Sequence, residues 1–202
     1  ETTEVIGAEH LVAQKAVSEV VAKKLFACIN KFEEEIERMG ADMRGGNPSP
    51  GNIQGGLSTI EEKSLGCISK AGTSPLKDVL SFAEEIPGNG YYFMDSPGND
   101  IECVTGMAAA GVHVVCFTTG RGTPTGNPII PVIKITGNEK TAITMVDNID
   151  VDVSRVMKGD ESTGEAGKRI FETVIKTAQG ELTKAEILGH QEFSISRISI
   201  SL

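Results

Sequence analysis

Apolar residues recur at three- and four-residue steps from Ala8 to Met39, at Leu11, Val12, Val17, Val20, Val21, Leu25, Ile29 and Phe32, which predicts one long amphipathic helix. Glu33 to Arg38 continues it as a charged, solvated stretch, and Gly40 supplies a stop. Arg44 to Gly56 holds two prolines and five glycines without periodicity, so it reads as a linker or a functional loop. Ser58-Thr59-Ile60-Glu61 has the form of a capping box, with Ser58 as N-cap of a helix from Thr59 to Ser69. Thr73-Ser74-Pro75 then opens a predicted helix from Leu76 to Glu85, with proline in its first turn.

Beyond this point short apolar runs alternate with helical patterns. Tyr91 to Asp95 predicts a strand, and Ser96 to Asp100 turns into a helix ending near Ala110-Gly111. Val112 to Phe117 and Ile129 to Ile135 are further strands, the latter leading into a helix from Glu139 to about Val146. Ile149 to Val153 predicts a short strand, and Glu161 to Ala178 a helix with Ile170, Phe171, Val174 and Ile175 turned inward. Phe193, Ile195, Ile198 and Ile200 alternate with polar residues and predict an added strand in the tail.

Helices alternating with short strands imply an α/β fold: a mainly parallel, Rossmann-like sheet of about four to five strands with helices on both faces. A helical extension precedes it. The expected division is a helical segment at 1–46 and an α/β domain at 47–202. Because the chain begins at Glu1 and not at Met, it reads as a piece of something longer, led into by a further N-terminal region.

Composition narrows the function. The net charge is −9 and no basic cluster exceeds a Lys-Lys pair, so neither nucleic acid nor an acidic membrane surface is expected as a partner. No apolar run approaches the roughly 20 residues of a bilayer span, and no signal peptide is visible. Cys28, Cys67, Cys103 and Cys116 lie far apart without CxxC spacing, which suits reduced thiols in a cytoplasmic protein.

Candidate chemistry concentrates in polar, glycine-rich segments. Thr118-Thr119-Gly120-Arg121-Gly122-Thr123-Pro124 follows a predicted strand, where ligands bind in open α/β sheets. Its hydroxyls could hold an anion beside the Arg121 fork; a tight turn with an exposed arginine is the plainer reading. Glu61-Glu62-Lys63, behind Gly55-Gly56, is either an acid/base set or an ordinary charged helix face. Asn99 and Asp100 could present a helix N-terminus to an anion, or could simply cap it. Glu9-His10 could contribute to a metal site, whereas His113, inside a predicted strand, reads as packed, and His190 as part of a turn.

Four of these segments together carry a specific resemblance. Gly7-Ala8-Glu9-His10, Pro48-Ser49-Pro50-Gly51-Asn52, the run from Gly55 to Cys67 and the run from Thr118 to Pro124 resemble the altronate/galactarate dehydratase family. Pro97-Gly98-Asn99-Asp100 and Val132-Ile133-Lys134 fall in the same order. The resemblance runs from about Glu4 to Phe193 and is to the C-terminal part of such enzymes.

That resemblance implies a lyase that removes water from a sugar acid to give a 2-keto-3-deoxy acid, with a divalent metal such as Fe2+ or Mn2+. The related sulfolactate sulfo-lyase large subunit expels sulfite instead, and the ending Gly189-His190-Gln191-Glu192-Phe193 looks closer to the broader branches of the family that include it. On this basis Lys63, Glu61 and Arg121 are expected as catalytic residues. Thr118, Thr119, Gly120, Arg121, Gly122, Thr123, Asn99 and Asp100 are expected to bind substrate, and Glu9, His10 and Glu62 to bind the metal. The expected partners are a small anionic sugar acid or hydroxy acid and the rest of the same enzyme, and the expectation admits a homodimer. A catalytically silent scaffold module is the competing reading from another class.

Overall fold

The computed structural model describes residues 2–41, 46–54 and 56–195. The chain divides into two compact units, Glu1–Gly111 with Ser194–Leu202, and Val112–Phe193.

Unit one starts with a 3-10 turn, Thr2–Glu4, followed by α1 (Glu9–Ala13) and α2 (Glu19–Arg38), where one continuous helix is predicted. Between the two helices the chain pairs with a strand: Val17 N donates to Leu76 O and Leu76 N donates to Lys15 O. Ser18 restarts the helix, its Oγ accepting Val21 N at 3.3 Å. The interruption resets the helical phase. Val17 and Val20 are exposed, while Val21, Leu25, Ile29, Phe32 and Ile36 form the buried stripe of α2.

The predicted loop contains α3 (Pro50–Gln54); its Arg44 and Gly55 lie outside the described residues. α4 (Ile60–Ser69) follows, and its N-cap is Thr59, one residue later than the predicted Ser58. Ile60, 4% exposed, is anchored in the core, and this moves the third helical position from Glu61 to Glu62.

The predicted helix at Leu76 is instead β1 (Leu76–Leu80), parallel to β2 (Tyr91–Met94) with Leu76 opposite Tyr91 and Leu80 opposite Met94. Proline before Leu76 is compatible with either element, and pairing on both sides of Leu76 outweighs local propensity. α5 (Asp100–Ala109) completes the unit. One core joins the helical lead-in to this sheet: Val12, Leu25, Ile29 and Phe32 pack with Ile60, Ile68, Leu76 and Phe93.

Unit two has three parallel strands in the order β3 (Val115–Thr118), β4 (Val132–Thr136), β5 (Val151–Asp152). Its helices are α6 (Glu139–Thr144), α7 (Ser154–Lys158), α8 (Thr163–Ala178) and α9 (Lys184–Leu188). The central β4 is buried at all five positions. Ile133, Ile135 and Val151 form the core, covered by Ile170 and Val174 of α8. Phe171 and Ile175, predicted inward, are 64% and 41% exposed, because they sit one position round the helix from the inward pair.

The α/β class with parallel pairing therefore holds, but the five strands form sheets of two and three and not one sheet of four to five. Glu192 to Ile195 adopts no strand, and the rest of the predicted tail strand lies outside the described residues.

Candidate functional site

In unit one a polar cluster forms where α4 meets the first turn of the chain. Lys63 and Cys67 are four residues apart and so share one face of α4. Glu4, ending the 3-10 turn, spans both: its Oε1 lies 2.8 Å from Lys63 Nζ, and its Oε2 accepts the Cys67 thiol at 2.7 Å. Lys63 also donates to Asn47 Oδ1 at 2.9 Å. The Glu4 and Lys63 side chains each keep 21% of their surface, so the pair is shielded yet open to a small molecule.

The environment separates the proton affinities of these groups. Burial pushes the Glu4 carboxyl upward, but hydrogen bonds from Cys67 and Lys63 and the Lys63 charge outweigh it and leave Glu4 below its ordinary value. Burial, together with the adjacent Glu4 charge, pushes the Cys67 thiol up to about 12, so it stays protonated. Asp100 opens α5, and burial followed by the Glu4 charge raises its carboxyl, with Lys63 pulling the other way. An ionised carboxylate, a cation, a protonated thiol and a carboxyl raised above its ordinary value thus occur together in unit one. Such divergence is the usual mark of acid–base work.

The other expected residues of this unit have local tasks. Asn99 caps α5, its Oδ1 accepting Ile101 N at 3.1 Å and Glu102 N at 3.4 Å. Glu61 lies over Gly7, its Cγ 2.8 Å from where a Cβ would stand. Glu9 Oε2 accepts Gly7 N at 2.6 Å, and Glu62 Oε2 accepts Ser58 N at 2.8 Å and Ser58 Oγ at 2.6 Å. His10 is exposed. Among the described residues no three His, Cys, Asp or Glu side chains form a group that could hold a metal ion, so Glu9, His10 and Glu62 do not fit a shared divalent ion as placed.

In unit two the segment after β3 is tied down by its own hydroxyls. Thr119 Oγ1 accepts Gly122 N at 2.9 Å, and Gly120 O accepts Asn138 Nδ2 at 3.0 Å and Thr141 Oγ1 at 2.7 Å. Gly122 has φ +91, and a Cβ there would overlap Met145 Sδ, so the turn requires glycine twice over. Thr118 is exposed at the end of β3, and Thr123 is buried, its Oγ1 2.7 Å from Thr125 Oγ1. Arg121 projects into solvent from this braced turn and makes no hydrogen bond or ion pair among the described residues. A held backbone with a free guanidinium suits capture of a carboxylate.

His113 is exposed and precedes β3, against the packed reading, because β3 starts at Val115 and not at Val112. His190 Nδ1 lies 3.1 Å from Glu192 Oε1. Glu4 was missed by the sequence reading. It carries no periodic or motif signal, and only the fold of α4 against the first turn gives it partners. All four cysteines are free. No helix of the described residues is long and apolar enough to cross a membrane.

Comparison with known proteins sets this geometry in context. The family model described as D-galactarate/Altronate dehydratase, C-terminal, matches residues 1–201, and the chain belongs to that family. It is 44% identical over 200 residues to the (2R)-sulfolactate sulfo-lyase subunit beta of Chromohalobacter salexigens, covering 98% of this chain and 51% of that one. It is 35% identical over 202 residues to altronate dehydratase of Bacillus subtilis, covering 100% of this chain and 40% of that one. With the galactarate dehydratase (L-threo-forming) of Escherichia coli it shares 37% identity over 181 residues, 90% of this chain and 34% of that one. The chain thus spans about half or less of the length of these relatives.

Proposed function

We propose that this C-terminal domain of the galactarate/altronate dehydratase family serves, within a longer enzyme, a lyase that eliminates water from a sugar acid to give a 2-keto-3-deoxy acid. The observation that carries the reading is the Glu4–Lys63–Cys67 cluster, in which a carboxylate kept ionised lies within hydrogen-bond reach of both a cation and a protonated thiol.

Loss of water from a 2,3-dihydroxy acid needs the α-proton removed, the resulting enediolate stabilised and the β-hydroxyl protonated as it leaves. The enol then takes up a proton at C3 and becomes the keto acid. Glu4 is the candidate base, because its neighbours hold it ionised. Lys63 is the candidate stabiliser of the developing negative charge, as a cation shielded from bulk water. Cys67 and Asp100, both holding protons more tightly than usual, are candidate acids for the leaving hydroxyl. Taken by itself, unit two offers Arg121, with the hydroxyls of Thr118 and Thr119, as a candidate contact for a carboxylate.

A second reading is favoured by the higher identity to the sulfo-lyase subunit: the same α-proton abstraction followed by loss of sulfite from a sulfonated hydroxy acid. The two differ only in the leaving group, and the cluster serves either.

Anaerobic assay of the full-length enzyme with Fe2+ or Mn2+ on altronate, galactarate and sulfolactate decides between them. A 2-keto acid from a sugar acid establishes the first reading, sulfite from sulfolactate the second, and absence of both products from all three substrates overturns the lyase reading for this panel.

A further inference from the structure

Lys134 stands in the middle of β4, the central strand of unit two, and its side chain is fully buried. A buried ammonium is ordinarily matched by a carboxylate, because an uncompensated charge away from water is costly. Lys134 has no such match. Its Nζ donates to two main-chain carbonyls, Thr125 O at 3.3 Å and Val132 O at 3.4 Å, both at the long end of a hydrogen bond. Among the described residues no carboxylate oxygen lies within ion-pair distance of it.

The carboxylates near it are committed to backbone donors. Asp150 accepts Lys134 N through Oδ2 at 2.7 Å and Lys184 N through Oδ1 at 2.8 Å. Glu192 accepts Gly126 N at 2.8 Å and faces His190, and Glu186 caps α9 by accepting Thr183 N at 2.8 Å and Thr183 Oγ1 at 2.8 Å. Burial lowers the Lys134 ammonium below its ordinary value, while the charges of Asp150, Glu192 and Glu186 oppose that shift and Lys184 adds to it.

A second group in the segment that Lys134 touches also lacks a partner. Asn127, 6% exposed, uses its Oδ1 to accept Ile129 N at 2.9 Å and Ile130 N at 3.3 Å, and its buried Nδ2 has no hydrogen-bond partner. The same segment carries the buried Thr123 and Thr125 hydroxyls, bonded to each other at 2.7 Å. It is closely seated as well: a Cβ on Gly126 would overlap the main chain of His190. Native structures leave few buried donors unsatisfied, and each such case calls for an explanation.

We propose that Lys134 and Asn127, with the Thr123 and Thr125 hydroxyls, form a buried subsite of unit two that accepts one carboxylate group of a small hydroxy acid. The assignment rests on the lyase reading only for the identity of that acid. Binding exchanges two long contacts to neutral carbonyls for charge-assisted bonds to an anion, which are shorter and roughly twice as strong. It also supplies the Asn127 amide with its missing acceptor. Because the ammonium is fully buried, the carboxylate enters only as the Thr123–Asn127 segment draws away from Lys134. Arg121, exposed on the preceding turn, then acts as the outer contact for the same acid.

The test is isothermal titration of glycerate, which carries the carboxylate, α-proton and β-hydroxyl, into the full-length enzyme at constant ionic strength. Asn127→Asp is the decisive variant. It keeps the acceptor for Ile129 and Ile130 while replacing the free donor with a negative charge. Glycerate affinity is expected to fall at least about tenfold in Asn127→Asp and to be lost in Lys134→Met. Undetectable binding to the wild type, or unchanged affinity in folded Asn127→Asp, overturns the subsite, and Asn127→Asp decides alone if Lys134→Met does not fold. In turnover the substrate KM is expected to rise more than kcat falls, a split that a strut holding the loop would not produce. Turnover of the substrate panel with an unchanged Asn127→Asp KM removes the subsite and leaves the lyase reading intact. Loss of glycerate binding without turnover on the panel does the reverse.

Discussion

Two lysines of this chain are placed in opposite circumstances. Lys63 lies on a helix face with 21% of its side chain accessible, paired with Glu4 at 2.8 Å and bonded to Asn47. Lys134 lies inside a central strand with no surface, held by two neutral carbonyls. The first is a compensated charge whose field is spent on a neighbour and on whatever enters beside it. The second is a buried charge with no carboxylate in direct contact, and its burial is costly. A lysine in the first setting is held by a direct ion pair, whereas one in the second relies on neutral carbonyls and on the more distant charges of Asp150, Glu192 and Glu186.

The largest expected effect comes from breaking the compensated pair. Lys63→Met in the full-length enzyme should reduce kcat/KM by about 10³-fold, the upper range for removing one preorganised stabiliser of negative charge. A change below about threefold in steady-state assays would mean that Lys63 only supports the fold. Glu4→Gln should lower kcat by about 10²-fold if Glu4 is the proposed base. The same substitution should remove the Glu4 charge that helps to hold the Cys67 proton, so alkylation by iodoacetamide near pH 8 should run faster than in the wild type, where burial and that charge push the thiol up to about 12. Equal alkylation rates by mass spectrometry would break the link between the two residues.

Lys134 should respond in the opposite sense. Removing a buried ammonium that no carboxylate pairs relieves its desolvation cost. Lys134→Met should therefore raise the urea midpoint of the protein even as it removes anion binding. Destabilisation of about 3 kcal/mol or more would instead make Lys134 a structural strut and erase the contrast with Lys63.

The pH dependence is a smaller effect. Glu4 is held below its ordinary value of 4.5, so its contribution to stability is present above that value and is lost as pH falls through the lower folded one. Glu4→Gln should flatten the acid limb of Tm against pH below 4.5, and an unchanged limb would show that other carboxylates dominate it. The smallest expected effect is local. Thr59→Ala removes the acceptor for Glu62 N at the start of α4 and should cost about 1 kcal/mol in a denaturant titration. Little or no change would indicate that Ser58 takes over the cap.

The legibility of this protein divides along a physical line. α2, α4, α5 and α8 could be read in advance, because helix periodicity and caps such as Asn99 are properties of neighbouring residues. The parallel strands after Val112 were read from apolar runs for the same reason. β1 was not, since whether Leu76 to Leu80 extends depends on β2 and on the chain at Ala16 lying beside it. Among site residues, Lys63 and the Thr118–Thr123 turn stood out by motif and glycine content, while Glu4 and Asn127 did not.

What the sequence determined by itself is membership of a dehydratase family and an α/β class with parallel pairing. These follow from short-range pattern and from motifs carried whole along the chain. Tertiary structure alone decided which polar groups meet, which are left without partners and which charge is compensated. Glu4 and Cys67 are 63 residues apart in the chain and 2.7 Å apart in space, and the Lys134 ammonium is costly only because two strands and a loop exclude water from it. Proton affinity and charge compensation depend on distance and burial, and both come into being only when the chain folds.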